Sequence, residues 1–138
     1  MSYARYAAVQ ASVEGPRERE IRAFATVTRA LTEAEAYTRA APDYAAKRMS
    51  ALHKNIRLWA LLQADLLHDG NALPAQLKAL LISLAIFAQK RSNAAMTDDS
   101  SLRSLIDLNQ DMAEALAAQR QAHRAVPAVP GQGTATAA

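Results

Sequence analysis

Apolar side chains recur at helical spacing in five stretches of this chain, and nowhere do they alternate over the length of a strand. The first stretch, residues 2–12, places Tyr3, Tyr6, Ala7 and Gln10 on one side; a helix that short must dock to persist. The second opens at Gly15-Pro16, where Pro suits a first helical turn. Glu18 and Glu20 follow in that turn, favourable against the helix dipole, and Ile21, Phe24, Ala25, Thr28 and Leu31 form a stripe that runs on toward Arg39. Asp43 is the expected N-cap of the third stretch, residues 44–68. Its main face is Ala45, Met49, Leu52, Ile56, Trp59 and Leu66, widened by Leu58, Leu61 and Leu62, and Gly70 suits a left-handed cap at its end. The fourth runs from Pro74 to Ala95 and is expected to turn Leu77, Leu80, Leu81, Leu84 and Ala88 inward. At about 100° per residue, Ile82 and Ile86 then fall on its opposite side. Thr97-Asp98-Asp99-Ser100-Ser101 interrupts the pattern with several capping residues. The fifth stretch, residues 101–122, aligns Leu102, Leu105, Ile106, Asn109, Met112, Ala113 and Leu116.

These stretches predict an all-α fold, a compact bundle of four main helices plus a short N-terminal helix. One helical domain over residues 1–124 is expected, followed by a disordered Ala/Pro/Gly tail over 125–138, which offers nothing to pack. Composition agrees. The 138 residues include 33 alanines, the best helix formers, while Gly and Pro are few and stand at the ends of stretches. Subtracting the alanines leaves a core of modest size.

The absence of Cys excludes disulfides, thiolate metal sites and a cysteine nucleophile. No basic stretch followed by an apolar segment opens the chain, and the longest apolar run, residues 79–88, is about half a membrane span. A cytoplasmic protein without a membrane partner is the expectation. The net charge is +3, yet both signs are mixed along most of the chain. Residues 71–97 carry Lys78, Lys90 and Arg91 and no acid, whereas residues 98–124 carry Asp98, Asp99, Asp107, Asp111 and Glu114 against Arg103, Arg120 and Arg124, so the fourth and fifth stretches can complement each other as neighbours. No block of like charge forms a nucleic-acid footprint. His53, His68 and His123 lie far apart without metal-ligand spacing, Asp98-Asp99 is explained by capping, and Gly15 and Gly70 are isolated rather than part of a phosphate loop. No catalytic, cofactor or metal residues are expected, and the chain is read as a non-enzyme.

What stands out is surplus apolar helix surface around residues 55–86, more than one core face requires. It points to a protein partner. Candidate partner-binding residues are Ile82, Ile86, Asn55, Leu58, Trp59 and Leu61. Asn55 and Asn109 admit two readings: amides satisfied inside the core that fix helix register, or amides meeting the backbone of a bound partner. Trp59 is likewise read as a core anchor or a contact residue. Ile82 and Ile86 also suit burial in a homodimer.

The order Tyr3, Pro16-Arg17-Glu18 and Glu20, then Leu52, Asn55, Leu58-Trp59, Leu62 and Asp65-Leu66, then Asn71, Leu73-Pro74, Leu77 and Leu81-Ile82-Ser83-Leu84, then Leu105-Ile106-Asp107-Leu108-Asn109, resembles the flagellar biosynthesis regulator FlaF family of alphaproteobacteria. The likeness spans residues 3–116 and rests on the order and spacing of individually weak motifs. His53-Lys54 stands where the family more often carries an aromatic or acidic residue. The resemblance implies a non-enzymatic role in flagellum assembly, alongside the regulator FlbT, which is associated with flagellin mRNA. It implies an adaptor or chaperone-like protein that controls flagellin synthesis and secretion by binding flagellin, FlbT or both. The rival reading is an RNA-binding post-transcriptional regulator acting on flagellin mRNA. A sequence pI near 9.5 favours that rival; mixed charge and few, scattered aromatic residues oppose it.

Overall fold

Four helices make up residues 16–125, the part of the chain that the computed structural model describes. They are α1 (Pro16–Ala36), α2 (Tyr44–Leu67), α3 (Ala75–Asp98) and α4 (Arg103–Ala125), with no strand among the described residues. The expected helix over 2–12 and the expected tail lie outside them. Short connections make sequential helices antiparallel neighbours. α2 packs between α1 and α3, α1 also packs along α4, and α3 meets α4 only sparsely.

The core takes Phe24, Leu31 and Ala34 from α1 and Leu52 and Trp59 from α2. From α4 it takes Leu105, Ile106 and Leu116, with Leu102 just before that helix. Phe24 and Trp59 meet edge to face, their rings 5.3 Å apart at 82°, the arrangement that sets a positive ring edge against a negative face. The stripe expected on α4 is the one that is buried. In α1 the stripe holds except for Ala25, which is exposed, and Val27 and Ala34 complete it.

Two faces differ from the sequence pattern. In the first half of α2 the buried positions are Arg48, Ala51, Leu52 and Asn55, while Ala45 and Met49 are exposed. In α3 the face against the core is Ala85, Ala88, Ser92 and Ala95. Leu77 and Leu80 are 38% and 56% exposed, and Leu81 and Leu84 are only half-buried. Small residues are what the packing requires here, because the bulk that fills the space comes from Leu52 and Trp59 on the facing helix.

The caps also depart from expectation. Asp43 stands at the N-cap of α2, yet its carboxylate makes no capping bond and accepts instead from the Tyr37 hydroxyl at 2.7 Å. Gly70 is not left-handed. α2 ends at His68 in extended conformation, and the turn closes through the Gly70 amide on His68 Nδ1 and the Asn71 amide on the His68 carbonyl, so no left-handed cap is needed. The left-handed residue is Asp99, with φ 50°, at the end of α3.

That second junction is heavily clasped. Arg48, buried in α2, donates to the Ala95 carbonyl at 3.3 and 3.1 Å and to the Ser100 carbonyl at 2.6 Å. It thereby covers acceptors that the end of α3 leaves free and places a cation at the negative pole of that helix. Glu35 of α1 does the reverse, accepting from the Leu102 amide at 2.9 Å and the Ser101 hydroxyl at 2.6 Å where α4 begins. Partial burial would raise the Glu35 pKa, but the bonds from Ser101 and Leu102, with the charges of Arg48 and Arg103, outweigh it and hold it below 4.5. The Ser100 hydroxyl and amide, helped by Arg91, hold Asp98 at about 2. Arg39 and the Tyr44 hydroxyl both bind Asp99.

Candidate partner-binding surface

Inside the bundle, Trp59, Asn109, Asn55 and Ser92 form a single hydrogen-bonded ladder across three helices. Trp59 Nε1 donates to Asn109 Oδ1 at 2.9 Å, and Asn109 Nδ2 donates to Asn55 Oδ1 at 2.8 Å. Asn55 Nδ2 donates to Ser92 Oγ at 2.9 Å, and that hydroxyl donates to the Ala88 carbonyl at 2.6 Å. All four side chains are fully buried. The expectation that Asn55 and Trp59 contact a partner is therefore corrected: both are interior, and their polar atoms are spoken for within the chain. Of the two readings of the asparagines, the register-fixing one describes what they do.

The other candidates lie nearer the surface but not together. Leu58 is half-buried against the core, and Leu61, one turn on, is 61% exposed along the α1–α2 seam. Ile86 is 41% exposed on α3, whereas Ile82 is half-buried. They do not form the paired exposed patch that the sequence suggested. Gln89, which donates to Gln63 of α2 at 2.6 Å, marks the flank of α3 turned toward α2.

The opposite flank of α3 holds more exposed apolar surface. At about 100° per residue, Leu77, Leu80, Leu84 and Phe87 lie on the side away from Gln89, the side where α4 diverges. Phe87 is 47% exposed. This strip runs into a cleft of about 520 Å³ at the end of the bundle away from the clasp. Leu66, Leu73, Leu77, Leu81, Met112 and Leu116 line it, with Glu20, Asp65 and Gln119 among its polar residues. The cleft lies between α3 and α4, which meet only sparsely, with Met112 and Leu116 on its α4 wall. Leu77 and Leu81 face this sparse contact and stay partly open.

A family model described as flagellar protein FlaF matches residues 2–116. The chain belongs to the FlaF family. No curated protein and no solved structure gives a match. The match to FlaF takes in α1, α2 and α3 entire and α4 as far as Leu116, so the ladder, the clasp and the cleft lie almost wholly within the family segment.

Sequence reasoning passed over Arg48, Glu35, Ser92 and Phe87. Arg48 and Ser92 were hidden because polar residues at core positions register as breaks in an apolar stripe. Phe87 carried a usable signal, an aromatic beside Ile86 in a helix whose core is alanine. Among the described residues no group of three His, Asp or Glu stands together to hold a metal ion, and no described helix is long and apolar enough to cross a membrane.

Proposed function

We propose that this FlaF-family protein is a non-enzymatic, cytoplasmic factor of flagellum biogenesis, an adaptor or chaperone-like protein that binds flagellin, the regulator FlbT or both. The observation that carries this reading is the exposed apolar strip of Leu77, Leu80 and Phe87, with half-buried Leu84 among them, leading into the cleft. Such a surface suits the apolar face of an amphipathic helix, with side chains at successive turns entering the groove. Family membership supplies the flagellar context. The chemistry of the strip favours a protein over RNA, since cations and stacking aromatics are what RNA needs and the strip is aliphatic apart from Phe87.

Titration calorimetry of the purified protein with flagellin and with FlbT tests the proposal. Leu80→Asp combined with Phe87→Asp should leave helicity and melting temperature nearly unchanged and abolish binding. Unaltered affinity in that variant would move the surface elsewhere. Tight, selective binding of the protein to flagellin leader RNA without any protein partner would overturn the reading in favour of an RNA-binding regulator, and the steep salt dependence of phosphate contacts would identify it.

A further inference from the structure

The cleft lies where α1 begins. Glu20, one turn after Pro16, stands in its lining with Leu66 of α2, Leu77 of α3 and Met112 of α4. Residues 1–15 therefore join the bundle at the mouth of the cleft. Its α4 wall runs from Met112 to Gln119, about 10 Å, and a helix over residues 2–12 is about 16 Å long. Residues 13–15, between that stretch and Pro16, span up to about 10 Å, enough for the chain to turn back over the cleft.

The chemistry of that stretch suits the lining. At about 100° per residue, Tyr3, Tyr6, Val9 and Val13 fall within about a third of the helix circumference, with Arg5, Ala8 and Ser12 outside that arc. A tyrosine joins an apolar ring to a polar tip. The cleft offers a place for each: Leu66, Leu77 and Met112 for the ring, and the side chains of Asp65 and Gln119 for the hydroxyl. The C-terminal tail also starts near this end, since α4 runs on from Gln119 to Ala125, but residues 126–138 carry only Val126 and Val129 as larger aliphatic side chains and no aromatic. The FlaF match divides the two termini the same way. It opens at residue 2 and closes at residue 116, taking in the N-terminal stretch and leaving the tail out. A tethered segment also acts at an effective concentration on the order of millimolar, so a modest fit is enough to seat it.

We propose that residues 2–13 of the chain dock in this cleft as a helix, with Tyr3 and Tyr6 on its leucine and methionine floor, and hold it until the helix of a partner takes their place. The docking stands by itself, whereas the exchange rests on the proposed function. Leu80 and Phe87, exposed farther along α3, give a partner its first foothold beside the seated segment.

The full chain carries its own reporters. Of its four methionines, Met112 lines the cleft, while Met49 and Met96 line a small pocket beside the clasp. Along α2 the distance from Met49 to Leu66 is about 26 Å, so the two sites are well separated. In NMR spectra of methionine-methyl-labelled protein, Tyr3→Ser with Tyr6→Ser should shift the Met112 methyl resonance and leave those of Met49 and Met96 in place. The chain has no cysteine, so Ser12→Cys accepts a nitroxide at a single site, outside the apolar arc. That label should broaden the Met112 methyl and spare Met49 and Met96. Absence of broadening at Met112 overturns the proposal, whatever the tyrosine variant does, and so does an unmoved Met112 in a folded tyrosine variant. Broadening that arises only between nitroxide-labelled and methyl-labelled copies mixed together overturns it too, assigning the segment to the cleft of a second copy. The exchange is read by calorimetry with flagellin and FlbT: the tyrosine variant should bind about threefold or more tightly than the parent, because its cleft is no longer held. Equal affinity overturns the exchange. Failure of parent and variant alike to bind either protein refutes the proposed function instead, and the Met112 readings still decide the docking.

Discussion

Replacing Asn109 with Leu is the sharpest probe of what the buried ladder contributes. The substitution keeps bulk and adds apolar surface, so a purely hydrophobic account of the core predicts neutrality or a gain. The ladder predicts a loss. Trp59 Nε1–H loses its acceptor and Asn55 Oδ1 loses its donor, both in fully buried positions. Each orphaned group costs about 1–3 kcal/mol, so two cost about 2–6 kcal/mol and the variant should lose an amount in the middle of that range, about 3–5 kcal/mol. That is a large share of the roughly 5–15 kcal/mol that stabilises a domain, and at about 4 °C per kcal/mol it lowers the melting temperature by roughly 12–20 °C. Asn55→Leu orphans only Asn109 Nδ2, because Ser92 keeps its bond to the Ala88 carbonyl, and should lose less, about 1–3 kcal/mol. Ser92→Ala removes a single acceptor and should lose about 1–2 kcal/mol. Urea unfolding followed by far-UV circular dichroism and by the fluorescence of Trp59, the sole tryptophan, gives the three values and checks that the transitions coincide. A loss below about 1 kcal/mol for Asn109→Leu, or a reversed order among the three, would refute the reasoning.

Three further outcomes follow from the geometry. Arg48→Met should cost about 2–3 kcal/mol in urea unfolding through the loss of charge-assisted bonds to Ala95 and Ser100, and Arg48→Lys should recover little because an ammonium cannot reproduce the guanidinium fork. Glu35 is held below 4.5 and Asp98 is lowered from 3.8 to about 2, so the stability they supply is complete above about pH 4.5 and is lost as pH falls, in the case of Asp98 down to about 2. Urea midpoints measured down that range should decline, and Glu35→Gln should flatten the decline. Ala88→Leu, at a fully buried position, should destabilise by about 1–3 kcal/mol through overpacking, whereas Leu80→Ala at the surface should stay within about 0.5 kcal/mol in the same assay.

The helices were legible in the sequence wherever large apolar residues alone made the core. α4 is the clearest case: Leu102, Leu105, Ile106 and Leu116 recur at helical spacing, and Asn109 sits in register with them, which made an interior amide one of its two readings. α3 was legible as a helix but not in its orientation. Its inward face is Ala85, Ala88, Ser92 and Ala95, and alanine carries no contrast in a chain where nearly half of the apolar residues are alanine; the leucines pointed to the wrong flank. In α2 the phase slipped by one residue because Arg48, whose charge is absorbed by carbonyls from a distant junction, occupies a core position. The surface followed the same rule. Surplus apolar area was readable from composition within the segment, but which residues carry it depends on where α4 departs from α3, a long-range property that no local spacing encodes.

The clasp at Arg48 and Glu35 pins the α3–α4 junction, and α1 holds α4 along its length. Near that junction the first turns of α4 are pinned through Leu102 and its capping carboxylate, while the far end of the helix has only a sparse contact with α3 across the cleft. Asn109 lies between the two, about a third of the way along, and its bond to the indole of Trp59 ties α4 to α2. Trp59 is the sole tryptophan, so a ligand that shifts α4 at Met112 or Leu116 should register in its emission. Tryptophan emission followed during addition of a partner is thus a direct optical test of whether the open end is occupied.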